Sequence, residues 1–245
     1  MKISAPLGIA LSFIFVIFAI FMEGVSFKSF FHFPALVLIV GGTFGVTLAS
    51  YGWKSLAQSI EILKRSMQES PTDFYLSLFL RFWERARKDG LLSLEEEARK
   101  QTDPLLQKGI QHIVDGSDPK TLEEILVEVH EEEEAKEIQS AKIWESASGF
   151  SPTIGIIGTV LGLVTVLENL EGGTRVLGQG IATAFVATFY GIVLANLALL
   201  PVANHIRQWS SDQTKRRTLI IRGLLSLQSG ESRRLLSERI EPYLK

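Results

Sequence analysis

SPTIGIIGTVLGLV, residues 151–164, is apolar enough for lipid, yet it holds one proline, three glycines and three hydroxyl side chains. A helix that only anchored a chain would be leucine and isoleucine. Small residues in membrane helices let two backbones approach closely. Gly155 and Thr159 lie four apart, as do Gly158 and Gly162, so each pair shares a helix face. IATAFVATFYGIVLANLALLP, residues 181–201, repeats the pattern with Ala184 and Thr188, Ala187 and Gly191, and Gly191 and Ala195.

Around this stretch the chain resolves into four apolar runs. A bilayer core of ~30 Å needs ~20 mostly apolar helical residues. Pro6–Met22, Pro34–Trp53, Pro152–Leu170 and Gly180–Ala203 meet that need, with no Asp, Glu, Lys or Arg in their interiors. The first run is not read as a cleaved signal peptide, because Phe21-Met22-Glu23 lacks a small-x-small cleavage site. With 46% hydrophobic residues concentrated this way, the composition is too uneven for an ordinary soluble domain. There are no cysteines, so disulfides and thiolate metal sites are excluded.

Charge fixes the direction. Residues 54–148 carry 13 basic and 20 acidic side chains, and residues 204–245 carry 9 and 4. Lys54, Lys64, Arg65, Lys142, Arg207, Lys215, Arg216 and Arg217 flank span ends on one side, against only Lys28 and Arg175 on the other. The positive-inside rule puts both termini and the long segment in the cytoplasm. Four stretches follow: 1–53 with the first two spans, 54–148 as a cytoplasmic helical domain, 149–203 with the last two spans, and 204–245 as a basic helical tail. The expected fold is all-α, with four transmembrane helices and the helical domain inserted between the second and third. The tail could lie on anionic lipid head groups, but reads better as a continuation of span four.

Apolar residues at three- and four-residue spacing make 54–148 helical throughout. Ser93 to Glu96 opens one helix; Asp118-Pro119 opens another that runs into the third span, with Pro119 at its first position. The acidic run Glu131–Glu134 reads as a solvated helix face. His112 and His130 have no second ligand at useful spacing, and no Ser/His/Asp grouping exists, so neither a metal site nor an enzyme is expected. Pro152 and Pro201 each remove a backbone donor near a span end. Thr159 and Thr188 place hydroxyls deep in the bilayer. An ion pathway normally contains an ionisable group in the membrane. This chain has none, so a conducting assembly takes its carboxylate from another polypeptide.

These residues resemble the MotA/PomA family, the A subunits of flagellar motor stators. The resemblance covers almost the whole chain: four spans with the insertion after the second, LIVGGTFGVTLAS at 38–50, and the two stretches quoted above. The related ExbB/TolQ family has three spans and lacks the GGT span. The resemblance implies a homopentamer around a dimer of a MotB/PomB-type B subunit, whose membrane helix supplies an aspartate. The complex would conduct a cation across the bacterial inner membrane and turn the rotor protein FliG for motility and chemotaxis. It implies that Thr159 and Thr188 line the ion path, and that Pro152 and Pro201 couple the path to the cytoplasmic segment. Gly155, Gly158, Gly162 and Gly191 would pack against the partner, and Arg87 and Glu95 would meet the rotor. Thr159 favours sodium; Ala187, where sodium-type members tend to carry a second threonine, keeps the proton open. No cofactor and no nucleic acid are implied, and membrane lipid is the surroundings. The rival readings are an ExbB/TolQ-like energiser of an outer-membrane system and a structural membrane scaffold.

Overall fold

The computed structural model describes residues 4–24, 30–68, 74–168 and 173–244. Every regular element among them is helical: α1 Ser4–Met22, α2 Phe33–Ser66, α3 Phe74–Asp89, a 3₁₀ turn Leu91–Leu94, α4 Glu95–Lys100, α5 Pro104–Val114 and α6 Pro119–Glu168. There follow α7 Gly173–Val193, a π turn Leu194–Leu199, α8 Leu200–Gln228, α9 Arg233–Ile240 and a closing 3₁₀ turn Glu241–Tyr243. The segment beyond Glu168 that would complete the third span to Leu170 lies outside the described residues.

Local chemistry sets the helix starts. At α2 the His32 ring accepts from the Ala35 N–H, and Pro34 occupies the first turn. Asp103 caps α5 by accepting from the N–H groups of Leu105 and Leu106, with Pro104 behind it. Asp118 caps α6 in the same way through Lys120 and Thr121. Such a carboxylate satisfies amides that a helix start leaves unpaired. Inside α2, Gly52 has φ 75° and ψ 163°, a conformation that costs a side chain dearly, so the helix kinks there. The apolar run ends at the same place, with Trp53 and Lys54.

The chain divides into two compact units, 1–68 with 137–207 and 69–136 with 208–245. The first unit holds the long apolar helical segments. Three helices, Phe33–Ser66, Pro119–Glu168 and Val176–Gln228, are long and apolar enough to cross a membrane, and Pro6–Met22 is a shorter apolar helix. In this unit α2 lies against α6, where Ile154 fills the space beside Gly42 and Leu38 reaches Gly158. Opposite them, Ile156, Ile157, Val160, Leu161 and Val164 of α6 face outward, as do Ile181, Phe185 and Ile192 of α7.

The second unit has its own core. Tyr75, Phe79 and Phe82 of α3 pack with Leu106 and Ile110 of α5, Leu122 and Leu126 of α6, Leu219 and Leu224 of α8, and Leu236 and Ile240 of α9. The tail, which reads from sequence as a segment of its own, therefore shares one core with the insertion. Polar bonds pin it there: Trp83 Nε1 donates to the Glu231 carbonyl at 2.7 Å, and Arg239 pairs with the Glu231 carboxylate at 2.6 Å.

Candidate functional site

The seam between α6 and α7 is built from the small residues. A Cβ on Gly155 would lie 3.2 Å from the Ala187 carbonyl oxygen and 3.3 Å from Thr188 Cα. On Gly158 it would lie 2.7 Å from Ala187 Cβ, on Gly162 2.9 Å from Ala184 Cα, and on Gly191 2.7 Å from the Ser151 carbonyl oxygen. The space beside all four glycines is filled by this chain. Their missing side chains bring α6 and α7 together.

Within the seam the hydroxyls of Thr159 and Thr188 bond to each other. Thr159 Oγ1 also lies 3.1 Å from the carbonyl oxygens of both Gly155 and Ala184. One side of the seam thus holds two hydroxyl oxygens beside two helix carbonyls that already accept from the N–H four residues on, and each hydroxyl donates once. When Thr159 donates to a carbonyl, Thr188 donates to Thr159, and the lone pairs of Thr188 stay unspent.

Towards Pro152 and Pro201 the seam is closed by a further bond. Ser151, fully buried, donates from Oγ to the Gly191 carbonyl at 2.9 Å. Pro152 stands inside α6, and its Cα is 3.2 Å from the place a Cβ on Gly191 would take. Pro201 follows the π turn, whose last bond runs from the Leu200 N–H to the Ala195 carbonyl. A proline in that position gives its predecessors no N–H, so the widened turn and the proline belong to one irregularity. Tyr190 is engaged elsewhere: its hydroxyl donates to the Phe30 carbonyl and accepts from the His32 N–H. Sequence reading found the threonines and prolines but not Ser151 or the π turn. Pro201 was the one signal for that turn.

Arg87 and Glu95, in the second unit, are not paired with each other among the bonds of the described residues. The Arg87 guanidinium sits 5.7 Å from the Trp83 ring centroid, and Glu95 pairs with Arg99 at 2.7 Å. Arg85, absent from the sequence reading, clips α3 to α4 by pairing with Glu96 at 2.8 Å and Glu97 at 2.5 Å. Lys100, then Arg85, hold the Glu97 carboxyl below the ordinary carboxylate range. In the acidic run, Lys136 pairs with Glu132 at 2.7 Å and Glu133 at 3.0 Å, and Thr214 donates to Glu134. No group of three potential metal ligands occurs among the described residues.

A family model described as the MotA/TolQ/ExbB proton channel family matches residues 97–218. Motility protein A of Treponema phagedenis is 30% identical over 228 residues, covering 90% of this chain and 86% of that protein. The uncharacterized protein YtxD of Bacillus subtilis (strain 168) is 30% identical over 239 residues, covering 96% and 88%. The structure of the flagellar MotAB stator complex from Bacillus subtilis contains a chain that superposes with a TM-score of 0.90 at 28% identity, over 98% of this chain and 94% of that one. Likeness that runs through both units, including the small-residue seam, has one reading: the chain belongs to the MotA/TolQ/ExbB proton channel family.

Proposed function

We propose that this chain is the A subunit of a flagellar stator, which with a B subunit turns a cation gradient across the bacterial inner membrane into rotor torque. The observation that carries the reading is chemical. The seam offers acceptor oxygens at Thr159 and Thr188, while the interiors of the spans hold no Asp, Glu, Lys or Arg that could complete a conduit. The missing acid comes from a companion polypeptide, as the relatives named motility protein A and the MotAB stator complexes suggest.

In this reading α1 is the first of four spans. Its 19 residues reach about 28 Å at 1.5 Å each, which matches the hydrocarbon core. Both termini and the second unit are cytoplasmic by the excess of basic residues at those span ends. The companion helix seats on the outward apolar faces of α6 or α7, in a ring of five A subunits around two B subunits. Thr159 and Thr188 hand the cation to the companion carboxylate. Pro152 and Pro201 couple the seam to the cytoplasmic segment. Arg87 and Glu95 meet FliG there. Charges at such a rim steer encounter and fix register more than they add affinity, which suits a contact made and broken on every step. Sodium is the favoured ion, because a cation shedding water needs several oxygens and Thr159 adds one.

The test is a pair of variants in a strain without its own stators, with the B subunit co-expressed. Thr188→Val keeps the shape and removes the oxygen; it is expected to abolish swimming while the complex still co-purifies. Thr188→Ser, which keeps the oxygen, is expected to swim at half the parental speed or better. Equal swimming by Thr188→Val and the parent would leave the seam a packing device and defeat the reading.

A further inference from the structure

A groove in the first unit runs between α6, the π turn and the two arms of α2 on either side of the Gly52 kink. Val40, Phe44, Leu56, Ile60, Trp144 and Leu199 stand on its walls, and it holds about 200 Å³. Cavities lined by such side chains stay dry even at ~150 Å³ and take hydrocarbon instead. The hydroxyls on its walls turn back to their own helix: Thr47 donates to the Thr43 carbonyl at 2.6 Å, and Ser59 to the Leu56 carbonyl at 2.8 Å. The Thr43 hydroxyl, without a partner, has the same recourse. Val40, Phe44 and Ile60 are each about half exposed, so the groove opens outward.

Aromatic and basic residues mark its depth. The side-chain hydroxyls of Tyr51 and Ser146 share a hydrogen bond of 2.6 Å, so residues 51–54 of α2 and 142–146 of α6 stand at one level. That level carries Tyr51, Trp53 and Trp144, and beside them the exposed Lys54 and Lys142. Aromatic rings next to basic residues mark a cytoplasmic membrane interface. From there the groove climbs α2 to Val40, thirteen residues or about 20 Å, past the ~15 Å of hydrocarbon in one leaflet. Its volume, spread over that length, leaves a channel far narrower than the ~10 Å of a helix. The one acid in the two segments, Glu145, pairs with Arg207 at 2.7 Å and with neither lysine. Both ammonium groups are therefore left to an anion from outside the chain. Trp144 Nε1, on the groove wall, is buried with no acceptor among the described residues. An indole N–H only donates, so its acceptor comes from the occupant.

We infer that this groove binds one acyl chain of an anionic phospholipid of the inner leaflet. The chain lies along α2 between Val40 and Leu56. Its ester carbonyl accepts from Trp144 Nε1 after a small turn of the ring, and the phosphate lies beside Lys54 and Lys142. The ion path has no part in this; only the direction of the spans, which names the leaflet, rests on the proposed reading.

Brominated phospholipids test this, because bromine on an acyl chain quenches indole fluorescence on contact. The full chain with its B subunit is placed in nanodiscs of phosphatidylcholine with increasing shares of brominated phosphatidylglycerol or brominated phosphatidylcholine. The emission of Trp144 is the difference between the parent and Trp144→Phe. Half of it is expected to be lost at a mole fraction of brominated phosphatidylglycerol at least threefold below that of brominated phosphatidylcholine. The double variant Lys54→Gln, Lys142→Gln, at two exposed positions, is expected to make the two fractions about equal. Equal fractions in the parent overturn the inference and leave bulk lipid only. A preference that persists in the double variant overturns the headgroup contact and the inference with it. No quenching by either lipid also overturns it, and marks the groove as covered by the B subunit or a second copy. The comparison of the two lipids in the parent's total emission needs no variant, so a Trp144→Phe chain that fails to fold does not spare the inference. If no B subunit co-purifies, the stator reading fails, while quenching of the chain alone still decides the lipid.

Discussion

Gly191 shows how much a single hydrogen atom decides. A methyl there would stand 2.7 Å from the Ser151 carbonyl oxygen and 3.2 Å from both Gly155 Cα and Pro152 Cα. All three neighbours are backbone, which cannot swing aside as a side-chain end can. Gly41, in another span, has nothing within 4 Å of the same added atom. Gly191→Ala is therefore expected to force α6 and α7 apart at a cost of about 1–3 kcal/mol, the range for overpacking. It should also break the Ser151 bond and stop motility. Gly41→Ala should leave both untouched. Thermal unfolding in detergent with a swimming assay separates the two; equal melting temperatures would show the seam to be looser than described.

At the scale of elements, the second unit depends on a polar cluster joining α3, α5 and α8. The Tyr75 hydroxyl donates to Asp103 Oδ2 at 2.9 Å and accepts from Arg216 Nε at 2.8 Å, and Arg216 Nη2 pairs with the same carboxylate oxygen at 2.5 Å. Asp103 also caps α5, so one carboxylate fixes three helices. Burial first, and then the Asp103 charge, push the Tyr75 phenol well above its ordinary value. A folded value above the unfolded one stabilises the fold at every pH below about 10, where the unfolded phenol still holds its proton. That stabilisation is lost as pH climbs from there through the folded value. Tyr75→Phe is expected to cost about 1.5–3 kcal/mol at neutral pH, as for hydrogen bonds to charged groups. The gap between parent and variant should narrow above pH 10, and a constant gap up to pH 11 would contradict this.

The elements also show what a sequence can and cannot disclose. Spans, their small faces and the start of α6 at Asp118-Pro119 were legible because they follow from hydropathy, spacing and capping, all local properties. Asp103-Pro104 carries the same start signal at α5, and reading it would have found the cap. The Tyr75–Asp103–Arg216 cluster was not legible, since its members lie up to 141 residues apart and meet only in the folded core. The close approach of α6 to α7 at the four glycines was not legible for a similar reason. Small spacing reports that a backbone comes close, but not whose backbone it is.

For the whole molecule, the arrangement is a division of labour. One unit carries apolar helices and the small-residue seam with Thr159 and Thr188; the other, with a core of its own, carries Arg87 and Glu95. The interiors of the apolar runs hold no Asp or Glu, so in the proposed reading the chain is half of a machine. The central claim is that the titrating carboxylate belongs to the companion helix. Its most direct test is swimming in a stator-less strain that receives this chain with its B subunit, or with the same B subunit after the aspartate of its membrane helix is changed to asparagine. The account predicts swimming in the first strain and none in the second, although both complexes co-purify intact. Swimming in the second strain, or with this chain alone, would contradict it.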